Sequence, residues 1–124
     1  MVNEIRLVRF TLSFRANGIR ITLNAEKAGN KCLAAITNSR EGNKQLEVSP
    51  DFMTRLETMI NKHNIQAWSG FRESSEHHQL ICESFFLDAD FEAGSKIYAE
   101  GSSSFPEGFF DANREIFKLF GLDI

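Results

Sequence analysis

The chain has 124 residues, 42% hydrophobic and 25% charged, with 12 Phe against one Trp and one Tyr. That make-up fits one globular domain over residues 1–124 and excludes a disordered polymer or a second core. The net charge of −3 conceals a split: residues 1–44 carry eight Lys/Arg against three Glu, a net +5, and the remainder carries −8.

No apolar run approaches the roughly 20 residues that cross a bilayer, so no membrane partner is expected. The opening "MVNEIRLVRF" mixes charge with apolar residues from the third position, unlike a secretory leader, and points to the cytoplasm. Cys32 and Cys82 lack CxxC spacing and read as buried thiols rather than a disulfide.

The first element is a hairpin at "FRANGIR", because Asn17-Gly18 suits a type I′ turn with positive φ at both central residues. A two-residue loop sets the register. Phe14 then faces Ile21, Leu12 faces Leu23 and Phe10 faces Ala25 on an apolar side. Arg9 opposes Glu26, Ser13 opposes Thr22 and Arg15 opposes Arg20 on a polar side. Arg15 against Arg20 is the anomaly, since facing like charges destabilise a strand pair. Either both splay into water or toward an acid, the favoured reading, or they meet an anionic ligand or acidic partner.

A third strand is expected at "KCLAAITN", turned by "AGN", and a short fourth near "KQLEV" after Gly42-Asn43. A helix follows, with Ser49 as N-cap, Pro50 at N1 and Asp51 against the dipole. Phe52, Leu56, Met59, Ile60 and His63 line one side of it, and Asn64 ends it. Residues 65–79 are the least regular. A second hairpin joins "SFFLDADF" to "SKIYAEG" through "EAG", pairing Leu87 with Ala99 and Ala89 with Ile97 inward, Asp90 with Lys96 and Asp88 with Tyr98 outward. The last helix carries a stripe of Phe109, Ala112, Ile116, Leu119 and Phe120, and Ser104 with Glu107 has the spacing of a capping box at its start. Strand runs followed by a helix, twice over, predict an α+β fold: an antiparallel sheet of five to six strands, two clear hairpins among them, with two helices on one face.

The second half contains Trp68-x-Gly70-Phe71, Phe85 and Leu87 on a strand, Gly94 and Ile97 around a turn, and Gly101-Ser102-x-x-Phe105-Pro106-x-x-Phe109. It resembles a family of small uncharacterised bacterial proteins that share these elements. The resemblance covers about the C-terminal half and implies a bacterial origin and a common fold, without an established activity. It departs at Cys82-Glu83, where the family often has Asp-Gly, so no role for that Asp carries over.

Four constellations could carry chemistry. The Gly-Ser-Ser-Ser loop, with Ser102 and Ser103, could line a pocket beside a helix start, but it lacks the Lys of a phosphate loop and is flanked by Glu100 and Glu107. Helix entry is the favoured reading. His77, His78, Cys82 and His63 lack the spacing of a closed zinc set, so neither a metal nor another cofactor is expected. Asp88, Asp90 and Glu100, with Tyr98 nearby, could do acid–base work or hold a cation; the favoured reading is a polar sheet face paired with Lys96 and with arginines of the first hairpin. Trp68 and Phe71 form an aromatic corner that either covers one end of the core, as favoured, or walls a groove.

Overall acidity argues against a nucleic-acid partner. With no nucleophile–base pair, the expected function is a non-enzymatic binding or interaction module, with self-association through sheet or edge contacts. The alternative is a small enzyme or ligand-binding protein using the acidic residues.

Overall fold

The computed structural model describes residues 6–74 and 83–122. In chain order the elements are β1 (Leu7–Ala16), β2 (Ile19–Ala28), β3 (Lys31–Asn38), β4 (Gly42–Leu46), α1 (Phe52–Lys62), a 3₁₀ turn (Ile65–Trp68), β5 (Arg72–Ser74), β6 (Ser84–Phe91), β7 (Lys96–Ser102) and α2 (Phe109–Leu119). The strands form one sheet in the order β4-β3-β2-β1-β6-β7-β5. The α+β class holds, with two corrections to the sheet. Among the described residues it has seven strands rather than five or six, and it is mixed, because β5 runs parallel to β7.

Both hairpins form in the register that their turns dictate. Asn17 and Gly18 take φ of 55° and 76°, and Phe14↔Ile21, Leu12↔Leu23 and Phe10↔Ala25 pair across β1 and β2. Gly94 takes φ of 87° in the second turn, and Leu87↔Ala99 and Ala89↔Ile97 pair across β6 and β7. The hairpins join where β1 pairs with β6, so the basic first half and acidic second half lie side by side. There the register slips between Leu7 and Arg9. The bulge at Val8 turns Leu7 into the core although it lies three residues before Phe10, and Glu57 of α1 accepts the Leu7 N–H at 2.9 Å.

Alternation puts most apolar residues of β1, β2, β3, β6 and β7 on one face, where both helices cover them, and leaves Leu33 exposed. Phe10, Leu12, Leu23 and Leu87 are at most 1% exposed, and each such side chain is worth about 1.5–3 kcal/mol of burial. Phe52 of α1 meets the Phe120 ring edge-on at 5.0 Å, joining the two helices at one end. At the other end Phe14, Phe85, Phe105 and Phe109 pack into an aromatic cluster, with Phe85 and Phe109 only 4.5 Å apart. Asn113 is buried among the apolar residues of α2, and its Oδ1 has no hydrogen-bond partner among the described residues.

Trp68 packs on Phe85 and Phe109, which bears out the reading of its segment as a cover for one end of the core. That corner also explains the unforeseen strand. Gly70 (φ 86°) donates its N–H to the Tyr98 carbonyl at 2.9 Å, and Phe71 accepts from Glu100 N at 2.9 Å. These bonds lay the chain alongside β7 in the same direction, and β5 follows.

Three local expectations are revised. The N-cap of α1 is Asp51 rather than Ser49; Ser49 lies outside the helix, its hydroxyl on the Asp51 carboxylate, and no side chain caps the helix. The Ser104–Glu107 capping box does not form: α2 starts after Gly108 at φ 80°, and Ser104 Oγ instead donates to Glu73 Oε1 at 3.0 Å. Gly42-Asn43 opens β4 rather than forming the turn before it, which residues 39–41 make. Cys32 is buried, and that burial raises its thiol pKa; Cys82, His77 and His78 lie outside the described residues. Among the described residues no helix is long and apolar enough to cross a membrane.

Candidate functional site

The far side of the sheet carries the polar halves of every alternation, and the described helices lie on the other side. The register places Arg9, Arg15, Arg20, Asp88, Asp90, Tyr98, Glu100 and Ser102 together on this face. Ser103 is not among them. It turns away at φ 55°, donating its N–H to the Glu83 carbonyl at 2.7 Å.

The acidic residues of this face are spoken for. Lys96 Nζ sits 3.3 Å from Asp88 Oδ1 and 3.6 Å from Asp90 Oδ1, and Arg9 bridges Glu26 at 3.6 Å and Asp90 at 3.8 Å. Asp88 Oδ1 is shielded from water, with the Lys96 ammonium as the cation beside it. Hydrogen bonding and attraction from Asp88, with Asp90 adding, push the Lys96 pKa up. Tyr98 donates its hydroxyl to Glu100 Oε2 at 3.0 Å, and this bond, with lesser help from burial and the Glu100 charge, raises the phenol pKa. The Arg72 guanidinium lies over the Tyr98 ring, 5.3 Å from its centroid.

The arginine pair behaves differently. Arg20 folds back across β1, donating from Nη1 to Ser13 Oγ at 2.7 Å and approaching Ser84 Oγ with Nη2 at 3.5 Å. Thr22 also donates to Ser13 at 3.1 Å, so the fully buried Ser13 hydroxyl is satisfied from two sides. Arg15 stays exposed. Among the described residues no carboxylate pairs with Arg15 or Arg20, so the expected neighbouring acid is not what separates them.

Beside Arg20 a cleft of about 450 Å³ opens on this face. Strand register explains its walls. Ser74 pairs with Ser102, Ser102 with Ser84, Ser84 with Arg15 and Arg15 with Arg20. Three hydroxyls and two guanidinium-bearing residues therefore form a single row across five strands. The next row supplies Phe86, Glu100 and Arg72. Arg72, Ser74, Ser84 and Phe86 escape a reading of the sequence. Ser84 becomes visible only once β1 is known to pair with β6, and Arg72 and Ser74 only once β5 exists.

Gly101 closes this end. A Cβ on it would stand 2.1 Å from the Ser104 carbonyl oxygen and 2.8 Å from the Phe85 ring. Only glycine lets the Ser-Ser-Ser loop double back over the strand. The loop does not cap α2, and among its described serines Ser102 alone lines the cleft.

A second hollow of about 600 Å³ lies at the aromatic corner, lined by His63, Trp68, Phe71, Pro106, Glu107 and Gly108. Trp68 and Phe71 thus stand apart from the other predicted site residues. His63 Nε2 contacts Glu115 Oε2, and Lys62 donates to the same carboxylate at 2.7 Å, holding the Glu115 pKa below its usual range. The contact ties α1 to α2. No family profile, no curated protein and no solved structure matches the chain.

Proposed function

We propose that the protein is a non-enzymatic binding module of the bacterial cytoplasm, with its binding surface on the solvent-facing side of the sheet at the Arg15–Arg20 end. One observation carries this reading: two facing arginines, neither paired with an acid among the described residues, stand at the end of a cleft that Arg20 lines together with three serines, Arg72, Glu73 and Glu100. A facing cationic pair costs stability, and a ligand that compensates the charge gives a reason for it. The resemblance to the uncharacterised bacterial family belongs to the same proposal. Its spaced elements, Trp68, Phe85, Phe105 and Phe109, converge in one aromatic cluster that supports the cleft from beneath.

The enzyme or cation-binding alternative rests on Asp88, Asp90, Glu100 and Tyr98. It is weaker because Lys96 and Arg9 neutralise the two aspartates and Tyr98 occupies Glu100. Ligand-observed and protein-observed NMR of isotope-labelled protein with a panel of small cytoplasmic metabolites separates the two. The expected result is a ligand that binds unchanged over hours and shifts backbone amides of β2, β6 and β7. Turnover of the ligand, abolished by Asp88→Asn, would install the enzyme reading. Shifts confined to the hollow at His63 and Trp68 would move the site away from this face.

A further inference from the structure

We infer that the cleft takes a small organic oxyanion, its acidic group seated between the Arg20 guanidinium and the hydroxyls of Ser84 and Ser102. This rests on the reading of the bare sheet face as the binding surface, and it adds the chemistry of the ligand. Arg20 carries five N–H donors in a planar fork, and its described bonds run from Nη1 to Ser13 and from Nη2 to Ser84. Those two contacts hold the fork over β1 and β6, and donors remain for a carboxylate or phosphate oxygen. A positioned guanidinium beside a row of hydroxyls is a donor-rich surface with fixed geometry, the arrangement that recognises an oxyanion.

The carboxylates of the cleft do not oppose this placement. Glu100 on β7 accepts from Tyr98 and Glu73 on β5 accepts from Ser104, and both strands lie across β1 and β6 from the β2 strand of Arg20. The charge is therefore positive at the β2 end, where Arg15 stands opposite Arg20, whereas at the β5 end Glu73 and Glu100 outnumber Arg72 by one. A volume of about 450 Å³ lies within the range of small-molecule sites and far exceeds a bare anion. Phe86 on the cleft floor offers an apolar surface for the rest of such a molecule. An anion seated here also resolves the like-charge pairing of Arg15 and Arg20, which no carboxylate among the described residues compensates.

The test titrates isotope-labelled full-length protein with inorganic phosphate, and separately with acetate, at constant ionic strength. The expected result is a saturable shift of the Arg20, Ser84 and Ser102 amides with at least one of the two. Phosphate alone identifies a phosphate head group, acetate alone a carboxylate, and both an unselective oxyanion site; each supports the proposal. Arg15→Gln, which leaves the Arg20–Ser13 contact in place, should weaken the effective anion about threefold or more by removing one nearby charge. Arg20→Gln should abolish the shift, and if that variant unfolds, Arg15→Gln still decides. Absence of saturation with both anions overturns the proposal, as does equal affinity in the wild type and Arg15→Gln. Should the metabolite panel find an uncharged ligand on this face while both anions fail, the oxyanion assignment falls and the binding face stands.

Discussion

At one end of the solvent-facing sheet surface, Arg9 lies between Glu26 and Asp90, and Lys96 lies between Asp88 and Asp90. At the other end, on the same strands, Arg15 faces Arg20 and the neighbouring positions on β6 and β7 are serines. The first end closes its charges upon itself and has the make-up of a stabilising network. The second keeps a cationic pair that costs stability and sets it beside a cleft. Two ends of one surface thus separate what holds the fold from what is available to a ligand.

The largest expected effect comes from destroying the second end while sparing the first. Gly101→Ala places a methyl against the Ser104 carbonyl and the Phe85 ring, and backbone cannot yield as a flexible side chain can. We expect a loss of about 3 kcal/mol or more in urea unfolding, at the upper end for overpacking. Hydrogen exchange should rise first in residues 98–104, with protection retained around Asp90 and Lys96. A wild-type midpoint would show that the loop can lift off β7, and the cleft would then lack a fixed wall.

Smaller, opposite effects should come from single charges at the two ends. Asp88→Asn removes an ion-pair partner of Lys96 and should lower the melting temperature. Because the pair raises the Lys96 pKa, its contribution is complete below the ordinary lysine range and disappears as pH rises through the raised value. The Asp88→Asn deficit should therefore shrink in alkali. Arg15→Gln should instead stabilise, by about 0.5 kcal/mol, because it removes a directly opposed like charge. That gain should persist over the same pH range, since guanidinium stays charged, and should fade in high salt. Destabilisation by Arg15→Gln would mean that Arg15 already has a compensating partner, and the contrast between the two ends would collapse.

Much of this architecture was legible in advance, and the failures share a cause. Asn17-Gly18 and Gly94 fix two registers because only one pairing puts Phe10, Leu12, Phe14 and Leu23, and likewise Leu87, Ala89, Ile97 and Ala99, on a single face. The Arg15–Arg20 anomaly falls straight out of that register. β5 could not be read, because it is three exposed residues without alternation, and its parallel direction comes from backbone bonds at Gly70 and Phe71. The row from Ser74 through Ser102 and Ser84 to Arg15 was hidden for the same reason: its links between β5 and β7 and between β6 and β1 are pairings that no turn specifies. The capping box failed because Ser104 finds Glu73 on that unforeseen strand, and tertiary contact outweighed a local preference.

The finest distinction concerns Glu100, which lines the cleft yet is counted with the satisfied carboxylates. That assignment predicts a property of the protein's single tyrosine. The hydrogen bond from Tyr98 to Glu100 stabilises the neutral phenol, and the carboxylate charge disfavours the phenolate, so Tyr98 should ionise above the ordinary tyrosine range. An absorbance titration reads this directly, with no other tyrosine to obscure it. Glu100→Gln keeps an oxygen to accept the hydroxyl but removes the charge, and should move the ionisation down toward the ordinary range. An unchanged titration would mean that Glu100 does not hold the Tyr98 hydroxyl in solution. Its free carboxylate would then face the serine row and extend negative potential toward Arg20, reducing the electrostatic separation on which the oxyanion assignment depends.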